Sequence, residues 1–540
     1  MNLSNTKLRL IPILGSLFLL TLLSMPAAAA SPTISKPSVV PVLHTSSVNS
    51  VVIPLDPSFD PNLVGGVPFC SSGSLGTILC YPPSFLKRAY DFPASSGWGG
   101  LNGRGQTIVI VDAFGSPTIQ SDLNKFDTTF GLPATTVTIL CGPTWTGSPT
   151  DNCPVKTISD LSTAPNANIC GAAGWAEETT LDVTMAHSLA PGAHIVLVVA
   201  DDCYDNNLYG AEQAVVNQHR YDGSIMSQSF GEPDDLVTCT NLDPTGSYCI
   251  SYDPTLLNLP NSVFQTATKH HWTIIASTGD DGANEQTRYT GNLELIPSFP
   301  STSPLVLGAG GTQGSPYGGK YGGPPGSGNT FTCPAFKFCN TGLVVINGGL
   351  HGCTTAVRPG TPSSCIPAFY GGEGTWDEAL TFGSVAYASG GGISTLYSVP
   401  SYQQSVAKHG FTTMLGEHVK ATGRLTPDVS FNSAVYGGVL AYLGFIGTGT
   451  WAVFGGTSAA SPAWAGIMAL VNQAHGSPMG WVNPAIYNIG NSRAFHDITS
   501  GNNADCSGLC GEDGYVAGRG YDLTTGWGTP DVTNLIHALA

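Results

Sequence analysis

Charge is what this sequence has least of. Asp, Glu, Lys and Arg make up 10% of its 540 residues, against about 25% in ordinary soluble domains. Nineteen Lys and Arg stand against 36 Asp and Glu, for a formal charge of −17, which excludes the basic surface that nucleic-acid binding requires. With its carboxylates protonated the chain would carry few positive groups for its length, so self-repulsion in acid stays modest. A neutral-pH exported protein with a Ser, Thr and Gly surface would have the same composition, and composition alone leaves both open. Beyond residue 30 no segment is long and apolar enough to cross a bilayer, there is no internal repeat, and none of the fourteen cysteines forms a Cys-x-x-Cys pair. That last absence argues against a cysteine metal site.

What is present starts at the N-terminus. Lys7 and Arg9, an apolar run over 11–23 and Ala28-Ala29-Ala30 have the layout of a secretory signal peptide over 1–30. The mature chain is then expected to be secreted and extracellular, with no membrane partner after signal cleavage. The cysteines follow the signal, and most have a near neighbour: Cys70/Cys80, Cys141/Cys153, Cys239/Cys249, Cys333/Cys339, Cys353/Cys365 and Cys506/Cys510, leaving Cys170/Cys203. In an exported chain these read as disulfides, with connectivity open. Residues 31–80 read as a short linker or prosegment. Apolar runs at 106–114, 194–200, 224–230, 272–277 and 305–308 are separated by stretches long enough for helices, which predicts a doubly wound α/β sheet, mostly parallel and flanked by helices. A glycine- and proline-rich stretch at about 313–372 with four cysteines is expected to be a disulfide-tied surface insertion in a domain spanning 81–540.

The most informative motif is Gly455-Gly456-Thr457-Ser458-Ala459-Ala460-Ser461-Pro462. Small residues allow close backbone approach at a strand-to-helix turn, and a serine there looks like a nucleophile. Its base is the difficulty, because none of the twelve histidines is followed by Gly-Thr, as in a subtilisin-like enzyme. Residues 175–187 predict a helix stopped by Ala190-Pro191-Gly192. Glu178 and Asp182 lie four apart on one face of it, where two carboxylates repel unless they share a proton or a partner. Two solvated acids on an exposed face would give the same spacing. The apolar run at 272–277 leads into Gly279-Asp280-Asp281-Gly282, at the strand end where α/β sheets place ligands, although an aspartate there is also a common turn former.

Together and in chain order, Glu178, Asp182, Asp280 and Ser458 resemble the constellation of the sedolisin family of serine-carboxyl peptidases. The resemblance extends over about 81–530, through Tyr81-Pro82-Pro83, Phe130-Gly131-Leu132-Pro133, Ala190-Pro191, Ser227-Gln228-Ser229-Phe230-Gly231, Gly390-Gly391-Gly392-Ile393-Ser394 and Pro427-Asp428-Val429. It implies a subtilisin-like fold and a secreted endopeptidase acting on proteins or peptides. Ser458 would be the nucleophile, Glu178 the general base, Asp182 the residue that orients and tunes Glu178, and Asp280 the oxyanion-hole donor. A carboxylate of reference pKa about 4.3 is still partly ionised near pH 4, where imidazole is protonated and unable to accept a proton. Activity is therefore expected to peak near pH 4 and to be lost by neutrality.

The same resemblance implies a calcium loop built from Asp497, Ile498, Gly518, Gly520 and Asp522, with two carboxylates and three backbone carbonyls. It also implies a substrate cleft lined by the 227–231 strand and the 390–392 loop, where an extended peptide would lie as an added strand. Family members carry a long folded prodomain; here about fifty residues separate Ala30 from Tyr81. Other candidates compete for roles. Asp112 ends an apolar run where subtilisins keep an aspartate, His187 is expected to pack near Ala190-Pro191, and Ser461 is expected to cap the helix after the serine turn, with Pro462 first in it. A monomer is expected. A peptide-binding protein of the same fold without turnover, or an exopeptidase, are the alternative functions.

Overall fold

Alternation along the strand Thr107–Ala113 divides the molecule into two cores. Ile108 and Ile110 enter one buried cluster, and Val109, Val111 and Ala113 enter the other. Successive strand residues face opposite sides of a sheet, so this strand is buried on both, as parallel strands covered by helices must be. The strand His194–Ala200 beside it repeats the division, with Ile195, Leu197 and Val199 on the first side and Val196, Val198 and Ala200 on the second.

The computed structural model describes residues 40–41, 47–48, 51–56, 69–72, 76–93, 100–142, 153–285, 294–313, 343–346, 349–352, 370, 372–380, 385–504 and 513–540. Its central sheet runs Gly374–Thr375, Leu307–Gln313, Thr273–Ser277, Ile225–Gln228, Thr107–Ala113, His194–Ala200, Thr138–Cys141, with Val429–Asn432 also paired to Leu307–Gln313. Every pairing is parallel except that of Gly374–Thr375. Helices Ala172–Leu189 and Ala460–His475 cover one face, and Asp205–Asn217 and Asn258–Lys269 cover the other. The predicted doubly wound α/β sheet is present. Among the described residues no helix is long and apolar enough to cross a membrane.

Three differences from the predicted elements have local causes. The run at 224–230 is two strands, Ile225–Gln228 and Phe230–Pro233, broken at Ser229, with the second part leaving the central sheet to pair elsewhere. The run at 305–308 becomes Leu307–Gln313, extending through glycines that look like a loop in sequence. Those glycines are there for space: a Cβ on Gly308 would lie 2.6 Å from Thr426 Oγ1, and one on Gly311 2.9 Å from Ser433 Cβ. Thirdly, parts of the 31–80 stretch are strands. Val51–Pro54, Gly76–Tyr81 and Phe69–Ser72 join Thr450–Gly455 and Gly438–Leu443 in a five-stranded sheet.

Disulfides Cys70–Cys80, Cys141–Cys153, Cys170–Cys203 and Cys239–Cys249 tie surface connections to this frame. Cys333, Cys339, Cys353, Cys365, Cys506, Cys510 and the signal-like segment 1–30 lie outside the described residues, as does most of the 313–372 stretch; within it, Leu343–Ile346 pairs antiparallel with Gly349–Gly352.

Helix Ala460–His475 is the central packing element. All its residues from Ala460 to Asn472 are buried, and a Cβ on Gly466 would stand 3.0 Å from Leu189 Cβ, so glycine sets how closely the two helices approach. Trp464 is fully buried, and its indole N–H donates to the Ser430 carbonyl at 3.0 Å. Trp464→Ala removes a large buried ring and orphans that carbonyl, so it is expected to lower unfolding free energy by about 3–5 kcal/mol in a denaturant titration.

Candidate active site

The serine turn is shaped by two glycines. Strand Thr450–Gly455 ends where a Cβ on Gly455 would stand 2.6 Å from Val435 Cγ2, and Gly456 follows at φ 101°, a conformation that L side chains rarely adopt. One 3₁₀ turn, Thr457–Ala459, leads into helix Ala460–His475. Ser458 is buried in that turn, and its hydroxyl donates to the Ser229 carbonyl at 3.3 Å.

Ser229 stands between the serine turn and the carboxyl pair. Its hydroxyl reaches Asp182 Oδ1 at 2.9 Å, with the Ser458 carbonyl at 3.4 Å. Asp182 and Glu178 share helix Ala172–Leu189, which packs directly against the 457–459 turn. Every residue from Glu178 to Leu189 is buried, so the pair is a dry one rather than two solvated acids. On the opposite flank Asp280 Oδ1 accepts from the Thr457 N–H at 2.8 Å and the Thr457 hydroxyl at 2.9 Å. Gly279 N–H donates to the same hydroxyl at 3.1 Å, locking the end of strand Thr273–Ser277 to the turn. The four residues singled out in the sequence are therefore assembled around one turn.

Asp112 joins them. It has the parity of Ile108 and Ile110 along its strand and so faces helix Ala172–Leu189. It is fully buried, and burial pushes its carboxyl up to about 7, opposed by a hydrogen bond from Thr179. Burial also holds Asp182 well above the usual carboxylate range, and the charges of Asp112 and Glu178 add to the effect. Strand parity was the signal in the sequence that could have placed Asp112 beside the pair. Ser229 had none, since its role follows from the strand break.

One other expectation is corrected, and one residue gains its partners. Ser461 is not the helix cap: the helix begins at Ala460, and the Ser461 hydroxyl pairs with that of Ser227 at 2.9 Å. His187 binds Asp127 Oδ1 at 3.1 Å and the Pro133 carbonyl at 3.0 Å, which anchors the 127–133 connection to the helix.

The 390–392 loop is wedged beside Asp280. Gly390 N–H donates to the Gly279 carbonyl at 2.8 Å. A Cβ on Gly390 would stand 1.8 Å from the Thr278 carbonyl oxygen, and one on Gly391 2.2 Å from that of Leu523. Across from it, strand Phe230–Pro233 already carries an added strand. Residues Ser47–Val48 pair antiparallel with it, Val48 opposite Phe230 and Ser47 opposite Gly231, and lie against helix Ala172–Leu189.

The family model of the subtilases matches residues 166–504. The chain belongs to the subtilase family. Within it the similarity is to sedolisins: kumamolisin of Bacillus sp. (strain MN-32) is 28% identical over 461 residues, 85% of this chain and 63% of kumamolisin. Sedolisin of Pseudomonas sp. (strain 101) is 28% identical over 283 residues, 52% of this chain and 37% of its own length. Tripeptidyl-peptidase 1 of Rattus norvegicus is 26% identical over 52% of this chain and 39% of its own length. The chain thus spans less than two thirds of the curated relatives it matches. The solved structure of Pseudomonas sedolisin, complexed with pseudo-iodotyrostatin, superposes with a TM-score of 0.59 at 24% identity, covering 86% of this chain and 98% of that one. This subtilase therefore has the subtilisin-like fold.

In this subtilase the two acids expected to hold calcium meet at one loop. Gly520 N–H reaches both Asp497 carboxylate oxygens at 3.1 Å, and Gly518 N–H reaches Asp522 Oδ2 at 2.9 Å, so one loop gathers both acids. Burial pushes Asp522 up to about 6, a cost that a nearby divalent cation would offset. Two carboxylates gathered by one loop are the hard oxygen ligands that such a cation prefers.

The buried carboxyls give this subtilase a definite dependence of stability on pH. Asp112, Glu177 and Glu378 are each raised to about 7 and Asp522 to about 6, in every case chiefly by burial. Such groups bind protons more tightly folded than unfolded, so their contribution is full below about pH 4 and is lost as pH rises to about 7. His194 and His496, lowered by burial, oppose this in acid, but the raised carboxyls outnumber them. In calcium-free buffer the unfolding free energy from denaturant titration is expected to be higher at pH 4 than at pH 7.5, by a few kcal/mol in total.

Proposed function

We propose that this chain is a secreted serine-carboxyl endopeptidase that hydrolyses peptide bonds in acid. The observation that carries the reading is the Ser229 hydroxyl, 2.9 Å from Asp182 Oδ1 and 3.4 Å from the Ser458 carbonyl. It ties the helix bearing the carboxyl pair to the turn bearing the serine. Membership in the subtilase family and similarity to sedolisin and kumamolisin support the same assignment. The signal-like segment 1–30 and four disulfides support export.

In this reading Ser458 Oγ attacks the scissile carbonyl carbon while Glu178 takes the hydroxyl proton. Asp182, kept protonated by burial and by the Asp112 and Glu178 charges, donates a hydrogen bond to Glu178, so negative charge falls on the base. Asp280 receives two hydrogen bonds at Oδ1, which leaves its acidic proton on Oδ2 to be donated to the oxyanion. The proton on Glu178 then passes to the departing amine, and an acyl-enzyme remains that water hydrolyses. Once Asp280 ionises it repels the oxyanion, which sets the upper pH limit. An extended substrate adds as a strand at Phe230–Gly231. Since Ser47–Val48 pairs with that edge, those residues must leave before a substrate strand can occupy it.

Digestion of an unfolded protein is the direct test. The wild type is expected to cleave internally, with an optimum near pH 4 and loss by pH 7.5. Ser458→Ala and Glu178→Gln are each expected to lose about a thousandfold or more in kcat, and Asp280→Ala about a hundred- to a thousandfold. Full activity at pH 7.5 or in Ser458→Ala would sink the mechanism. Products released stepwise from one end would assign an exopeptidase, in line with the tripeptidyl-peptidase similarity.

Asp497 and Asp522, with the carbonyls of Ile498, Gly518 and Gly520, would hold calcium. The ion would supply positive charge to a loop whose Thr524 and Thr525 carbonyls accept from the hydroxyls of Ser389 and Ser430. These two residues lie beside the 390–392 loop and on strand Val429–Asn432. Saturating chelator is expected to lower the melting temperature by several degrees at pH 6, and Asp522→Asn to abolish that shift.

A further inference from the structure

At the other end of the sheet from the serine turn, two histidines and an aspartate converge without a part in the mechanism. His219 lies just past helix Asp205–Asn217, held in a left-handed conformation at φ 54°. His270 caps helix Asn258–Lys269, and its carbonyl accepts from Gly223 N–H at 2.9 Å, tying the two turns together. Asp222 stands between them. His219 Nδ1 is 3.4 Å from Asp222 Oδ1, His270 Nδ1 is 3.0 Å from Asp222 Oδ2, and the two rings are 4.2 Å apart.

We propose that His219, Asp222 and His270 form a second metal site, for a borderline divalent transition ion of the zinc class. The donors fit: two imidazole nitrogens and one carboxylate oxygen, all within 4.8 Å of one another. Around an ion with bonds of about 2.0–2.1 Å, tetrahedral ligand atoms stand about 3.4 Å apart, so the observed 3.0 and 3.4 Å need little rearrangement. A divalent ion would take one nitrogen from each imidazole, both rings neutral, with the Asp222 carboxylate supplying negative charge. The next basic side chain, Arg220, is turned aside, its guanidinium 5.3 Å over the Tyr221 ring. All three side chains are accessible, at 52%, 38% and 34% exposure, so the ion enters from solvent and water completes its shell.

The placement defines what the ion does. His219 and Asp222 precede strand Ile225–Gln228, and His270 precedes strand Thr273–Ser277, adjacent parallel strands. Ser229 and Asp280 follow the opposite ends of those strands. The ion clamps two strand-helix units together at their starts and leaves the reacting groups untouched.

Titration of the full chain with Zn²⁺ at pH 7.5, in excess calcium so that the all-oxygen loop is filled, tests the site. The wild type is expected to bind one more zinc per chain than the His219→Ala/His270→Ala double variant, and to gain melting temperature with zinc that the variant does not. His219→Ala, His270→Ala and Asp222→Asn are each expected to weaken binding at least tenfold. Co²⁺ should give visible absorption in the wild type that is lost in the double variant. Cleavage at pH 4 should be unchanged in all variants, which separates failure of the zinc site from failure of the peptidase assignment. Equal zinc stoichiometry in wild type and double variant would overturn the proposal, as would no binding by the folded wild type.

Discussion

The cost of ionising carboxyl groups in a dry interior organises the active region. Asp112, Glu178 and Asp182 are buried together where helix Ala172–Leu189 crosses strand Thr107–Ala113. Water does not reach these groups, so burial and mutual repulsion hold protons on the cluster. The Ser229 hydroxyl couples the cluster to the serine turn, and Thr457 couples the same turn to Asp280. The proton inventory of the site and the acid stability of the fold thus have one physical origin.

Such a cluster requires backbone segments to come close, and small residues permit it. Gly466 lets the two central helices touch, Gly455 and Gly456 form the serine turn, and Gly390 fits against the Thr278 carbonyl. A Cβ at Gly390 or Gly455 would collide with neighbouring backbone, one at Gly466 would press on Leu189, and Gly456 holds a φ that L side chains rarely adopt. The sparse charge of the chain has a related consequence, because few positive groups are left to repel one another when its carboxylates are neutralised.

Much of this could be read in the chain. Apolar runs located the strands at 107–113, 194–200 and 273–277, because strands buried on both faces are apolar at most positions. Spacing put Glu178 and Asp182 on one helix face, and the glycines around Ser458 marked the turn. Other features were hidden for definite reasons. Strand Leu307–Gln313 is glycine-rich because Thr426, Pro427 and Ser433 press on it, so its pattern resembles a loop. The strand at 225–233 breaks at Ser229 through pairing partners far along the chain. Residues 51–54 gain strand structure only by pairing with Thr450–Gly455, which local composition could not reveal. His187 found its partner at Asp127, sixty positions earlier in the chain.

The sequence alone determined the kind of chemistry: the serine, the acids and the missing imidazole are residue identities, and periodicity supplied the sheet. Only the tertiary structure decided how those acids behave. Whether a carboxyl is a solvated charge or a proton holder depends on what packs around it, and the packing brings Asp112, Asp182 and Ser229 together from separate segments. The same holds for His219, Asp222 and His270, which become a candidate ion site because two helices end side by side.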